Sequence, residues 1–279
     1  MYFFEKAKRY FMKRDPKLKI CYDRIIPEEK DSAEETLHKM HEEVLLKSTG
    51  VKTPREAFHT IDPTHVIPVP HMAIISAKKW PTGSTLKCRF LEGSAIQQAK
   101  VIHKAKIWEQ YANISIDFVT TKNEQVRIAF QGDSGSWSAI GKDALNRHYF
   151  PKKEPTMNFG WLEDDTDDQE YERVVVHEFG HALGCIHEHQ QPKEHLQWNV
   201  QAVYAQFSGP PNNWNKATID SNILEKYSQN GITETIFDRH SIMLYQFPAE
   251  LFLNHVGTPL NHHLSAKDKS FIQKLYPNS

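Results

Sequence analysis

The chain of 279 residues contains only three cysteines, Cys21, Cys88 and Cys185. An odd number cannot all pair within one chain, so a dense disulfide framework is excluded and a reducing compartment is permitted. Charge of one sign is not in excess either. Lys and Arg total 34, Asp and Glu total 35, and the formal net charge is −1. Nothing in that balance points to nucleic acid or to an anionic membrane, and neither is expected as a partner. No run approaches the roughly 18 apolar residues of a membrane helix. The first 14 residues carry short apolar groups broken by Glu5, Lys6, Lys8 and Arg9, without the apolar centre of a secretory signal. A protein that stays inside the cell, or leaves it by another route, is the expectation. Internal repeats and low-complexity tracts are also missing. A hydrophobic content of 39%, with 11% aromatic residues, suffices for a packed core, and the length suits one domain with an extension.

What the chain does have is histidine, sixteen in all, and three of them stand in one run. His177, Glu178, His181, Gly184 and His187 spell H-E-x-x-H-x-x-G-x-x-H without interruption. Two histidines four apart on a helix lie on the same face, so their imidazoles can converge on one ion. Zinc suits neutral nitrogen ligands in tetrahedral geometry. Gly184 can end the helix in the left-handed conformation, which lets the chain turn back and present His187 as a third ligand. Three protein ligands leave a fourth position for water, the arrangement of a catalytic zinc. Glu178 follows the first histidine and can reach such a water. His189 lies out of phase with the other three and is not expected to ligate. Downstream, Ser241-Ile242-Met243-Leu244-Tyr245 supplies an S-x-M-x-Y run. A methionine in an apolar stretch is usually core, but here it follows a zinc motif.

These two motifs together resemble the metzincin metallopeptidases, in which a methionine turn runs beneath the metal. Within them the chain is most similar to the astacin-like branch. Glu188 directly follows the third histidine, Tyr245 stands two residues after Met243, and residues 135–141 are similar to that family's edge strand. The likeness runs loosely from about Trp80 to Tyr276. It departs in two places. Astacin catalytic domains are usually held by two disulfides, needing four cysteines, and Leu244 stands where astacins often have histidine. The resemblance implies an α/β (α+β) zincin fold. A twisted, mainly parallel sheet would carry an antiparallel edge strand, followed by a zinc helix and a loop-rich C-terminal subdomain ending in a helix. It implies one catalytic Zn2+ and an extended peptide or protein as substrate, laid against an edge strand of Trp137, Ser138, Ala139, Ile140 and Gly141. Tyr245 would ligate zinc at rest and swing to the oxyanion. The alternative for Tyr245 is a buried tyrosine with a satisfied hydroxyl. For Glu188, a role in holding a neighbouring backbone group or cation is expected here.

Residues 1–76 read as an N-terminal extension, with a helix over about 31–47 and a proline-punctuated connector carrying Pro54, Pro63, Pro68 and Pro70. It is either a clamp or a pro-segment over the cleft. Lys78-Lys79 at the junction is a candidate processing site, and Cys21 a weak candidate for an inhibitory thiolate. Residues 77–279 form the catalytic domain, divided into an upper part over 77–184 and a lower part over 185–279. Strands are expected over 85–91, 114–119, 126–130, 137–141 and 157–161. Helices are expected from a Ser94 cap to about 111, over 170–183, over 200–207, and from a Ser265 cap to 275. The acidic loop over 164–168 caps the zinc helix or binds calcium. The leading functional reading is a monomeric zinc endopeptidase. A catalytically weak zinc-containing binding module, or a zinc hydrolase acting on a non-peptide amide, is the alternative.

Overall fold

The computed structural model describes residues 22–24, 78–132, 135–190, 196–210, 212–226 and 237–278. The helix expected over 31–47 and Cys21 lie outside the described residues. Among the described residues six strands form one sheet: β1 (Tyr22–Arg24), β2 (Thr85–Phe90), β3 (Ser115–Phe118), β4 (Val126–Ala129), β5 (Ser136–Ala139) and β6 (Met157–Phe159), in the order β1-β5-β6-β4-β2-β3. Strands β3, β2, β4 and β6 run parallel, and β5 pairs antiparallel with β6. The catalytic region's own strands therefore end in an antiparallel edge, as expected. One feature is different: β1, from the N-terminal extension, lies parallel along the outer side of β5, with Tyr22 opposite Trp137 and Arg24 opposite Ala139. Trp137, Ser138, Ala139, Ile140 and Gly141 are all buried. Ile140 and Gly141 fall beyond the strand, because Gly141 opens a 3₁₀ turn over Gly141–Leu145 with φ at +51°. A Cβ at that glycine would stand 2.1 Å from the Lys78 carbonyl oxygen, so the chain enters the catalytic region pressed against this turn.

Helix α1 (Ala95–Ala105) starts at a capping box, in which Ser94 and Gln97 satisfy each other's backbone N–H groups. It stops earlier than the sequence suggests, and the segment Trp108–Gln110 tightens to a 3₁₀ turn. Helix α2 (Asp168–Ala182) carries the histidine motif and is capped by Asp167, whose side chain accepts the Gln169 N–H at 2.8 Å. The acidic loop before it is engaged by protein. Lys100 Nζ donates to the carbonyls of Asp164 and Thr166, each at 2.9 Å.

Three long-range bonds position α2. Trp108 Nε1 donates to the Val176 carbonyl at 2.9 Å and Trp80 Nε1 to the Ala182 carbonyl at 2.8 Å. The Tyr276 hydroxyl donates to the Leu183 carbonyl at 2.7 Å. The lower region holds α3 (Val200–Phe207), a short α4 (Lys216–Ile219) running into a π turn over Asp220–Leu224, and α5 (Ala266–Leu275). Buried apolar side chains gather in two main clusters. One, around Leu86, Ile128, Phe159, Val175 and Phe179, lies between the sheet, α1 and α2. The other, around Val203, Phe207, Ile223, Phe247 and Phe252, fills the lower region. Ile242 and Met243 belong to the first and Tyr245 to the second, so the 241–245 run crosses from one to the other.

Candidate metal centre

The helix period places His177 and His181 one turn apart on α2. The helix then ends as the sequence reading requires. Gly184 has φ at +100°, its N–H bonds the His181 carbonyl at 2.8 Å, and the Cys185 N–H reaches back to the Gly180 carbonyl at 2.9 Å. This pair of bonds is the Schellman arrangement, which needs a residue free of Cβ strain at that point. The reversal brings His187 back over the helix. The three Nε2 atoms converge: 3.1 Å separates His177 from His181, 3.0 Å His181 from His187, and 3.3 Å His177 from His187. All three side chains are buried.

The opposite ring nitrogens decide the protonation state. His177 Nδ1 stands 2.8 Å from the Ile242 carbonyl oxygen, and His181 Nδ1 stands 2.9 Å from the Cys185 carbonyl oxygen. A carbonyl only accepts, so each Nδ1 must carry a proton, and in the neutral ring Nε2 is then left with a bare lone pair. Lone pairs aimed at one point repel unless a cation lies there. Four-coordinate zinc, with Zn–N distances of about 2.0–2.1 Å, sets ligand nitrogens about 3.3 Å apart, and the observed spacings fit it. Burial holds the imidazole of His177 well below its ordinary range, and neighbouring His181 and His187 push the same way. The ring is thus kept in the neutral form a metal needs.

The other expected residues are placed as follows. Glu178 is fully buried on α2, beside the first histidine. Tyr245 is buried, its ring 4.2 Å from that of His187 and 5.5 Å from that of His177, and its hydroxyl 3.4 Å from His187 Nδ1. That nitrogen faces away from the point where the three Nε2 atoms meet. Glu188 accepts the Asp238 backbone N–H at 2.6 Å and gives its own N–H to the Met243 carbonyl at 3.0 Å. It therefore joins the end of the histidine motif to the methionine run and holds a backbone group, as expected. His189 stays outside the triad, with Nε2 3.0 Å from the Asn222 carbonyl oxygen. Met243 packs under α2, where a Cβ on Gly180 would meet its sulfur at 2.5 Å.

Three contributors escape a reading of the sequence. Gly180 admits Met243 to the underside of the helix. Its signal was a glycine inside a helical pattern, which usually has a packing reason. Gln190 sets its Oε1 3.3 Å from His187 Nδ1. Asp268, in the first turn of α5, accepts the Ser241 hydroxyl at 2.6 Å and the Ile242 N–H at 2.8 Å. It thereby braces the carbonyl-bearing residue that orients His177. The partners that give these two residues their role at the site are distant in sequence, Ser221 and Glu225 for Gln190 and Ser241 and Ile242 for Asp268, so spacing did not reveal it.

The family model described as Astacin (Peptidase family M12A) matches residues 73–251. Two solved structures of myroilysin are similar to the chain. One has 40% identity over 74% of this chain and 98% of its own, with a TM-score of 0.70. The other has 41% identity over 72% and 87%, with a TM-score of 0.58. A hatching-enzyme zinc-protease of the medaka fish Oryzias latipes, high choriolytic enzyme 1, aligns at 18% identity over 73% of this chain and 96% of its own, with a TM-score of 0.48. No curated protein matches the chain. Family match, identity to a solved relative and converging histidines agree: the chain belongs to the astacin family, peptidase family M12A, and is a metalloendopeptidase that uses one catalytic zinc.

Proposed function

We propose that the protein cleaves extended peptides with Glu178 as the proton carrier, His177, His181 and His187 as the zinc ligands, and Tyr245 as a donor to the oxyanion. The observation that carries this reading is the convergence of three buried Nε2 lone pairs beside a fully buried carboxylate on the same helix. Zinc, when bound, would lower the pKa of its water to about 7 and polarise the scissile carbonyl. Glu178 accepts a proton from the attacking water and returns it to the leaving amine nitrogen. The Tyr245 hydroxyl, now beside His187 Nδ1, turns toward the carbonyl oxygen as negative charge develops there. The neutral His177 and His181 rings are held by backbone carbonyls, so they reorganise little during the reaction. Glu178→Gln tests the assignment. The amide cannot take the proton, so the variant should keep the fold and one zinc and lose nearly all peptidase activity. A fully active variant free of wild-type enzyme would remove Glu178 from the role.

The N-terminal extension is read as a cover in addition to a support. A peptide substrate binds such an enzyme by adding a strand to the sheet edge. On β5 that position is taken by β1, in the parallel sense. Strand β1 must then release β5 before a substrate strand can pair with it. A chain starting at Ala77 keeps the Lys78–Asp143 ion pair of 2.7 Å and the Trp80 anchor, and should cleave peptides faster than the full chain. An insoluble or less active fragment would instead make the extension a clamp.

A further inference from the structure

The segment after the third histidine is tied to the π turn by two side chains in succession. His189 Nε2 stands 3.0 Å from the Asn222 carbonyl oxygen. Gln190 Nε2 donates to the Ser221 carbonyl at 2.7 Å and to the Glu225 carbonyl at 3.2 Å. The last carbonyls of any helix lack partners within it, and a wide turn leaves them open to other groups. Here two side chains beside the metal centre fill them. Gln190 is fully buried, so its amide is held in one orientation.

That orientation has a chemical consequence. Both Ser221 and Glu225 present only acceptors, so the end of the amide facing them must be the NH2 group. The oxygen of the amide is then turned to His187 Nδ1, at 3.3 Å. An amide oxygen cannot donate, so Nδ1 of His187 carries the proton and Nε2 keeps its lone pair. His177 and His181 obtain the same result from backbone carbonyls. His187 obtains it from a side chain whose direction is set by a turn more than thirty residues away in sequence. The Tyr245 hydroxyl also lies near this nitrogen, at 3.4 Å. A hydroxyl both donates and accepts, so it cannot select the tautomer, and in the proposed mechanism it turns away as charge develops on the substrate oxygen.

We infer that Gln190 is a positioning residue for the third zinc ligand: the carbonyls of the Asp220–Leu224 turn and of Glu225 orient its amide, and the amide oxygen sets the tautomer and ring angle of His187. The inference rests on His187 being a zinc ligand. It makes the π turn a remote determinant of metal affinity, since moving those carbonyls releases the amide.

The test uses the full chain, with zinc as the probe, in competition with a chromophoric chelator. Gln190→Leu keeps most of the volume and removes the acceptor. It should weaken zinc binding by roughly 10–100-fold, the usual effect of losing a ligand's outer hydrogen-bond partner. Gln190→Glu removes the NH2 that the Ser221 and Glu225 carbonyls hold and sets a carboxyl group against them, so it too should bind zinc more weakly than wild type. Urea melts of the zinc-free proteins separate this from simple loosening, which would lower stability and affinity together in both variants. Nitrogen NMR of zinc-free wild type adds a reading that needs no variant, and His187 should be the Nδ1–H tautomer. Wild-type affinity in Gln190→Leu or in Gln190→Glu, or an Nε2–H tautomer for His187, would each overturn the inference. A wild-type chain that binds no zinc would overturn the ligand assignment itself, which is a separate result.

Discussion

Substituting alanine for Gly180 adds one methyl group at the tightest point beneath the metal centre. The new Cβ would lie 2.5 Å from the sulfur of Met243, 3.3 Å from its methyl carbon and 3.2 Å from the Trp108 ring. Two effects oppose each other. Alanine is about 1 kcal/mol more favourable than glycine inside a helix. Overpacking a full core costs about 1–3 kcal/mol. Trp108 cannot yield, because its indole N–H is committed to the Val176 carbonyl at 2.9 Å. Met243 must move, and its backbone is held by the Glu188 N–H and the Ser241 hydroxyl, each at 3.0 Å. The side chain alone can bend away. The balance is a net loss of about 0–2 kcal/mol, or a melting temperature lower by up to roughly 8 °C at about 2–4 °C per kcal/mol for a domain of this size. Met243→Ala alone should lose about 2–5 kcal/mol, as buried methionine truncations do. In the double variant the added methyl enters the space Met243 leaves. Its loss should therefore be smaller than the two single losses together, with a coupling of about 0.5–3 kcal/mol. Urea denaturation of the four zinc-free proteins measures this cycle. Additive losses would mean that Gly180 and Met243 do not share that space, and the account of the methionine beneath the helix would be wrong.

Two further outcomes follow from the site. Tyr245→Phe removes one hydroxyl and keeps the ring packed on His187, so zinc content should be unchanged. If the hydroxyl acts only in the transition state, kcat and kcat/KM should fall together, by about 10²–10³ for a lost oxyanion donor, with KM little altered; an unchanged rate would make the tyrosine structural. Asp268 is mostly buried, and that burial raises its carboxyl pKa above the ordinary 3.8, with Asp238 adding to the rise. The folded protein then holds this proton to higher pH than the unfolded chain, so the stability contribution of Asp268 declines as pH rises from about 3.8 to its raised value and is level above it. Urea melts of wild type and Asp268→Asn across acidic pH should show the aspartate losing ground to asparagine in that window; a pH-independent difference would contradict the burial argument.

The parts of this molecule legible in its sequence are those set by local period and local caps. Spacing of four residues on a 3.6-residue helix obliges His177 and His181 to share a face, and Gly184 permits the reversal that returns His187. Ser94 and Ser265 announced α1 and α5 because a side-chain oxygen three residues before a free N–H is a local interaction, and both formed capping boxes. Alternation located β2, the resemblance pointed to β5, and the strands expected over 114–119, 126–130 and 157–161 match β3, β4 and β6 within a residue or two of their ends. The strand ends at 140–141 were misplaced because Gly141 takes a positive φ for a tertiary reason, the close approach of Lys78. What needed the fold are contacts between segments with no sequence relation. Gln190 meets Ser221 and Glu225, Asp268 meets Ile242, Gly180 meets Met243, and β1 lies on β5. A metal site requires its ligands' lone pairs to point inward. The residues that donate those lone pairs follow from helical spacing, but the acceptors that turn the rings belong to whichever chain segments the packed core brings alongside.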